Sequence, residues 1–264
     1  MENDIYTLTI DQGNTSAKLA LWTDAEGASE AAEGGAAPVS AAGRVCRHRL
    51  CVRGLSGADI RRVCSEYTVK AAIWCSVSER PTEVLEALHE CVPAVIELSA
   101  QTPLPLKVDY TSPRTLGVDR LAAAVGAHSI SGVAGRDILV SDLGTAITYD
   151  HVTASGHYAG GNIAPGIWMR LCALNHYTAR LPQVETDGET PLWGHDTESA
   201  LRGGAINGVV AELEFYRSHL GPDAVTVLTG GAAKLVQDRL SFRPLVVPDL
   251  VSLGLDAILH HNGL

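Results

Sequence analysis

The chain has 264 residues, 46% hydrophobic and 19% charged, a balance that builds one large core or two of ordinary size and excludes a disordered chain. Its net charge of −10 argues against a general nucleic-acid or anionic-membrane surface. That charge still allows an anionic ligand, because local N–H groups and bound cations can reverse the field inside a cleft.

Residues 1–10 carry two acids and no basic segment, and no apolar run approaches the ~20 residues of a membrane span. The expectation is a soluble, cytoplasmic protein without a signal peptide. From there, Ile5–Ile10 and Ser16–Trp22 read as a β-hairpin with its turn at Gly13-Asn14. Residues 24–43 are mostly Ala, Gly, Glu and Ser, a surface excursion to which no role attaches. Alternation resumes over Arg44–Val52, a helix is expected over Ala58–Tyr67 and a buried strand over Lys70–Val77. Ser78 is expected to start a second helix, with Pro81 in its first turn. The prolines of Gln101–Pro105 then separate the halves.

The second half repeats the scheme. A helix over Asp119–Ile130 precedes a second hairpin over Ile138–Val152, and a Gly-rich bend, Gly160–Gly166, leads into a helix containing Met169, Leu171 and Leu174. A long helix follows from Thr197 to His219, then a strand over Ala224–Thr229 and a helix after Gly230-Gly231. Strands mixed with helices in two similar halves imply an α/β protein of two related domains, 1–116 and 117–264. The six cysteines form no Cys-x-x-Cys pair and are expected to be buried reduced thiols.

The most informative feature is a near-repeat: Asp11-Gln12-Gly13-Asn14-Thr15 after Leu8-Thr9-Ile10, and Asp142-Leu143-Gly144-Thr145-Ala146 after Ile138-Leu139-Val140. A Gly-containing turn exposes N–H groups that can hold phosphate, while the Asp can hold a metal ion or its waters. Two such hairpins suggest a duplicated fold with a nucleotide clamped between its halves. Each alone is also compatible with an ordinary hairpin and a capping group. Neither G-x-x-x-x-G-K-[ST] nor G-x-G-x-x-G occurs, which disfavours a P-loop NTPase and a dinucleotide enzyme.

Asp11-x-Gly-Asn-Thr, Gly117-Val-Asp-Arg, Asp142-x-Gly-Thr-Ala, Gly161-x-Ile-x-Pro-Gly166 and Thr229-Gly-Gly occur in this order over essentially the whole chain. Together they resemble a type III pantothenate kinase, a member of the actin, sugar-kinase and heat-shock-chaperone ATPase superfamily of paired RNase H-like domains with a nucleotide cleft between them. The resemblance implies ATP-dependent phosphorylation of pantothenate to 4'-phosphopantothenate, the first step of coenzyme A synthesis. It implies that Asp11, Gln12, Gly13, Asn14, Thr15, Ser16, Ala17 and Lys18 line the ATP phosphates and that Thr145 contacts ATP. Tyr110, Gly117, Val118, Asp119, Arg120 and Thr197 would hold pantothenate, with Asp119 as general base, and Asp142 would bind a monovalent cation (K⁺ or NH₄⁺) beside the Mg²⁺–ATP. Gly230 and Gly231 would approach the nucleotide. A homodimer whose acceptor pocket is completed across the interface is also implied.

Physical chemistry supports these roles. Phosphoryl transfer needs alignment and charge neutralisation more than covalent help. An Asp beside the acceptor hydroxyl can take its proton, and Arg120 can grip a carboxylate with a two-pronged hydrogen bond. The plain alternative for Asp119-Arg120 is a first-turn acid favouring the helix dipole and a solvated arginine. Two other functions compete: a non-catalytic transcription accessory factor of the same family, and a kinase for another small alcohol. The presence of Asp11, Asp119, Arg120 and Asp142 counts against the first, and the carboxylate-gripping arginine against the second.

Overall fold

The protein is described by a computed structural model that covers residues 4–13, 16–24, 43–77 and 81–264. Asn14, Thr15, Ser78 and most of the Ala/Gly/Glu stretch (25–42) lie outside the described residues. The chain divides into two compact units. The first comprises Met1–Ala134, Gly156–Tyr158 and Asp249–Leu264, and the second Gly135–Ser155 and Ala159–Pro248. The division expected after residue 116 falls inside the first unit.

In chain order the first unit carries β1 (Ile5–Gln12), β2 (Ala17–Asp24), β3 (Arg44–Val52), α1 (Gly57–Glu66), β4 (Thr68–Ser76), α2 (Thr82–Cys91), β5 (Ala94–Glu97), β6 (Lys107–Val108) and α3 (Val118–His128). Its five-stranded sheet runs β3-β2-β1-β4-β5, antiparallel across the first three strands and parallel from β1 outward. Period-2 alternation explains both faces of β1. Tyr6, Leu8 and Ile10 join Leu19 and Leu21 of β2 against Ile60 and Val63 of α1 and Val84 and Leu88 of α2. Thr7 and Thr9 point the other way. α1 starts with a capping box, in which Ser56 accepts from the Asp59 N–H and Asp59 accepts from the Ser56 N–H. α2 starts at Thr82, with Pro81 as its N-cap and not within its first turn.

The remaining elements are β7 (Ile138–Asp142), β8 (Ala146–Val152), β9 (His157–Pro165), α4 (Ile167–Tyr177), α5 (Thr197–Ser218), β10 (Val225–Thr229), α6 (Ala233–Val236), β11 (Leu245–Val246) and α7 (Leu250–His261). The second sheet runs β11-β10-β7-β8-β9, and His157 and Tyr158 at the start of β9 pair in parallel with β6. The two sheets therefore share one topology: hairpin plus third strand on one side of the first strand, two later strands on the other. That repetition is the duplicated RNase H-like architecture. The segment read as a Gly-rich bend is mostly β9, and only Gly160 in it has positive φ.

α7 closes the first unit by packing on the first sheet on one side and on α3 on the other. Its polar stripe docks on the threonine face of β1: the Thr7 hydroxyl donates to Asp256 at 2.7 Å, and Thr9 lies 2.6 Å from the Ser252 hydroxyl. Arg44 grips Asp256 with Nε and Nη2 at 3.0 and 2.9 Å, and Asp256 is only 2% exposed. The other contact is with α3. A Cβ on Gly254 would collide with the Ala122 carbonyl, and one on Gly126 with the Leu250 carbonyl, so the two helix backbones touch where both residues are glycine. α3 is buried from Arg120 to Ala127, which its alanine-rich sequence permits at so close a crossing.

Among the described residues no helix is long and apolar enough to cross a membrane. All six cysteines are free thiols. Only Cys75 is buried and Cys51 is exposed, against the expectation that all six are buried. Burial pushes the Cys46 and Cys64 thiols up to about 11.

Candidate active site

Asp11 and Gln12 end β1, and the Gly13 N–H donates to the Ser16 carbonyl at 3.0 Å, closing the end of the first hairpin. Register pairs Asp11 with Lys18 and Gln12 with Ala17. Ala17 is buried and Lys18 is exposed. Gln12 has a structural role besides any ligand contact, since its Oε1 accepts from the buried Trp74 indole at 3.0 Å. A Cβ on Gly13 would meet only the Ser16 carbonyl, at an ordinary 3.5 Å. Among the described residues no other element stands within contact of that position.

Gly117–Arg120 stand together at the start of α3. Gly117 is the N-cap of α3, Val118 and Asp119 open it, and the Asp119 Oδ1 accepts from the Arg120 N–H at 2.9 Å. A Cβ on Gly117 would collide with that same oxygen, so glycine here allows the carboxylate to fold back over the first turn. Arg120 is 6% exposed, which removes the reading of it as a solvated side chain. A charge at that depth requires anionic or strongly polar partners. Tyr110, half-buried after β6, tilts against Tyr158 with ring centroids 6.2 Å apart. α7 fixes where these groups stand relative to the first turn. It rests on β1, whose end bears Asp11, and on α3, whose start bears Asp119. Sequence patterns did not expose this brace, because Thr7, Ser252 and Asp256 are far apart along the chain.

The second hairpin is held differently. β7 and β8 pair from Ile138↔Val152 to Val140↔Asp150, and a bridge joins Leu143 to Ile147. Asp142 is half-buried at the end of β7, and Thr145 is exposed in the turn. The Gly166 N–H donates to the Thr145 carbonyl at 3.0 Å, and a Cβ on Gly166 would collide with the Gly144 and Thr145 carbonyls. On the other side, the Leu143 N–H donates to Thr229 O at 2.9 Å and the Ala232 N–H to Leu143 O at 3.1 Å. Gly230, at φ +86°, leaves no room for a side chain beside the Asp142 Oδ1 and Leu143. The Gly161–Gly166 and Thr229-Gly-Gly motifs thus both serve to bring backbone into contact with the Asp142 turn.

Thr197 is exposed as the first residue of α5, behind an Asp196–Ser199 capping box. Farther along α5, both Glu212 carboxylate oxygens accept from the Arg170 Nη2 of α4, at 2.8 and 2.7 Å, and one also accepts from the Tyr149 hydroxyl of β8 at 2.6 Å. Burial acts to raise the Glu212 carboxyl, but the hydrogen bonds from Arg170 and Tyr149 outweigh it and hold the group below the usual range. Burial and that same carboxylate push the Tyr149 phenol upward.

Comparison with known proteins decides the family. The model of the type III pantothenate kinases matches residues 7–218. The chain belongs to the type III pantothenate kinase family. Type III pantothenate kinases of Phocaeicola vulgatus and Bacteroides fragilis are each 38% identical to it, covering 97% of this chain and 98% of theirs. The Porphyromonas gingivalis enzyme is 36% identical over 97% of this chain and 99% of its own. Among solved structures, a Campylobacter jejuni protein placed in the Baf family of transcriptional activators is 20% identical with a TM-score of 0.59, covering 97% of this chain and 98% of that one. A glucokinase from an Antarctic psychrotroph is 13% identical with a TM-score of 0.50, covering 99% and 100%. These two likenesses concern the fold alone.

Membership in this kinase family implies ATP and a divalent cation. The residues present fit such ions. Asp11 at the end of β1 and Asp142 at the end of β7 each offer carboxylate oxygens, donors that suit Mg²⁺ and other hard cations. Among the described residues no three His, Cys, Asp or Glu side chains gather as a metal cage.

Proposed function

We propose that this type III pantothenate kinase transfers the γ-phosphoryl group of ATP to the primary hydroxyl of pantothenate, with Asp119 as the general base. The carrying observation is the start of α3, where Gly117 leaves room for a carboxylate that is braced on the Arg120 N–H. Asp119 takes the hydroxyl proton as the new P–O bond forms, and Arg120 holds the pantothenate carboxylate, with Tyr110 and Val118 lining the same acceptor pocket. The first turn, from Asp11 through Lys18, orients the phosphates through its N–H groups and the Lys18 ammonium. Mg²⁺, when bound, neutralises phosphate charge. Asp142 holds a monovalent cation, K⁺ or NH₄⁺, and Thr145 contacts one edge of ATP.

The test is a coupled ADP-release assay in which pantothenate is the varied acceptor, with Mg²⁺ and K⁺ present. Pantothenate-dependent turnover is expected; ATP consumption indifferent to pantothenate removes the reading. Asp119→Asn should lower kcat by about 10²–10⁴ without altering thermal unfolding. An unchanged kcat in that variant removes Asp119 as the base.

We also propose a cytoplasmic homodimer formed through the second unit. Ile163, Trp168, Met169 and Tyr177 around α4, with Leu192 and Trp193 just before Thr197, are all exposed, Tyr177 and Trp193 by 82% and 85%. So much exposed aromatic surface supports an interaction face, and in this reading Thr197, which follows Leu192 and Trp193 in the chain, completes a pocket in a second copy. Sedimentation should give a dimer that Trp168→Glu converts to monomer; a monomeric unmodified chain overturns this.

A further inference from the structure

A cavity of about 420 Å³ opens in the first unit between β3 and α1, on elements that carry none of the proposed kinase residues except through β1 and β2. Its size lies within the range of small-ligand sites, roughly 300–1,000 Å³. Leu21, Leu50 and Val63 provide apolar wall. His48 and Tyr67 add an aromatic side, with ring centroids 4.6 Å apart and the Tyr67 hydroxyl 3.4 Å from the His48 Nδ1.

Arg47 is the unusual member. Register pairs Leu21 with His48 and Trp22 with Cys46, so Arg47 is the extra residue of a β-bulge. Bulges re-aim a side chain, and here Arg47 is one of the residues that line the cavity. The Arg47 Nε is buried and has no hydrogen-bond partner among the described residues. Its neighbours on the strand are paired, Arg44 with Asp24 and Asp256, and Arg49 with Asp249 at 2.6 Å. Arg62 also lines the cavity and leans 3.4 Å from Asp59, and Glu66 is the single acid in the lining. A buried N–H without an acceptor is costly to leave unmade. An anionic oxygen would satisfy it.

We propose that this cavity binds an amphipathic monocarboxylate, its carboxylate on Arg47 and its apolar body against Leu50, Val63 and the His48–Tyr67 rings. The site is separate from the kinase reading, and neither depends on the other. The probe is decanoate, below its critical micelle concentration, with uncharged decan-1-ol as the comparison, titrated into the full chain and followed by amide NMR shifts. Saturable shifts are expected at residues 47–50 and 62–67, with decanoate bound more tightly than the alcohol. Arg47→Met should weaken decanoate at least about tenfold, equivalent to 1.4 kcal/mol, and leave decan-1-ol unchanged. Turnover with ATP and pantothenate should not change in that variant. If Arg47→Met does not fold, Arg47→Lys, which keeps the charge but loses Nε, should still bind decanoate several-fold more weakly. The proposal is overturned by an absence of saturable shifts, by shifts centred elsewhere, by equal affinity for acid and alcohol, or by decanoate affinity unaffected in the folded Arg47 variant.

Discussion

The two Asp-x-Gly hairpins are alike in sequence and opposite in how they are held. The first is braced along its strand: Thr7 and Thr9, on the reverse face of β1, meet Asp256 and Ser252 of α7, while its turn glycine has room to spare. The second is braced around its turn, where Gly166 and Gly230 bring two other backbone segments into contact with Asp142–Thr145. The difference teaches that a duplicated sequence motif need not keep a duplicated setting: one copy is fixed through its strand, the other by backbone packed around its turn.

The most damaging way to probe the comparison is Asp256→Ala, which strips a buried partner from Arg44 and should cost about 3–5 kcal/mol. Hydrogen exchange should localise the loss to β1, β3 and α7; uniform loss across both units would contradict a brace specific to the first hairpin. Next is Gly166→Val, which forces a side chain into the Gly144 and Thr145 carbonyls and should cost about 3 kcal/mol, a fall in Tm of about 6–12 °C. A Tm within error of the unmodified chain would mean the second turn is not wedged.

The Glu212 cluster beside that turn gives a smaller, pH-dependent effect. Glu212 has its folded pKa depressed, so its contribution is present above its unfolded value and lost as pH falls through the lower folded one. Glu212→Gln should cost about 1–3 kcal/mol at pH 7 and flatten part of the acid-side decline in Tm. An unaltered acid limb would remove the cluster from this account. The smallest effect belongs to Gly13→Ala, expected to change stability by no more than about 0.5 kcal/mol. A large loss there would show that the first turn is as constrained as the second.

Much of the local structure was legible. Alternation revealed β1, β2, β3, β7, β8 and β10, the helical periods of α1, α3 and α5 fell within a residue or two of their observed ends, and α4 was expected without bounds. The Gly160–Pro165 run was misread because glycine usually signals a bend, whereas here the residues extend as part of β9, between β8 and the short β6. Pro81 was placed within a helix that it actually precedes. β5, β6, β11 and α7 drew no assignment. The short strands pair only because neighbouring strands offer free edges, which no local pattern announces.

By itself the sequence determined the duplicated α/β architecture, the family and the contiguous Gly117–Arg120 element, because each is written in adjacent residues and short-range periodicity. Tertiary structure alone decided that α7 ties the Asp11 strand to the Asp119 helix. It also decided that Gly166 and Gly230 serve the Asp142 turn, and that Arg47, the extra residue of a bulge, lines a cavity. These relations join residues scores of positions apart, and they depend on backbone approach and buried hydrogen bonds, which exist only once the chain has folded.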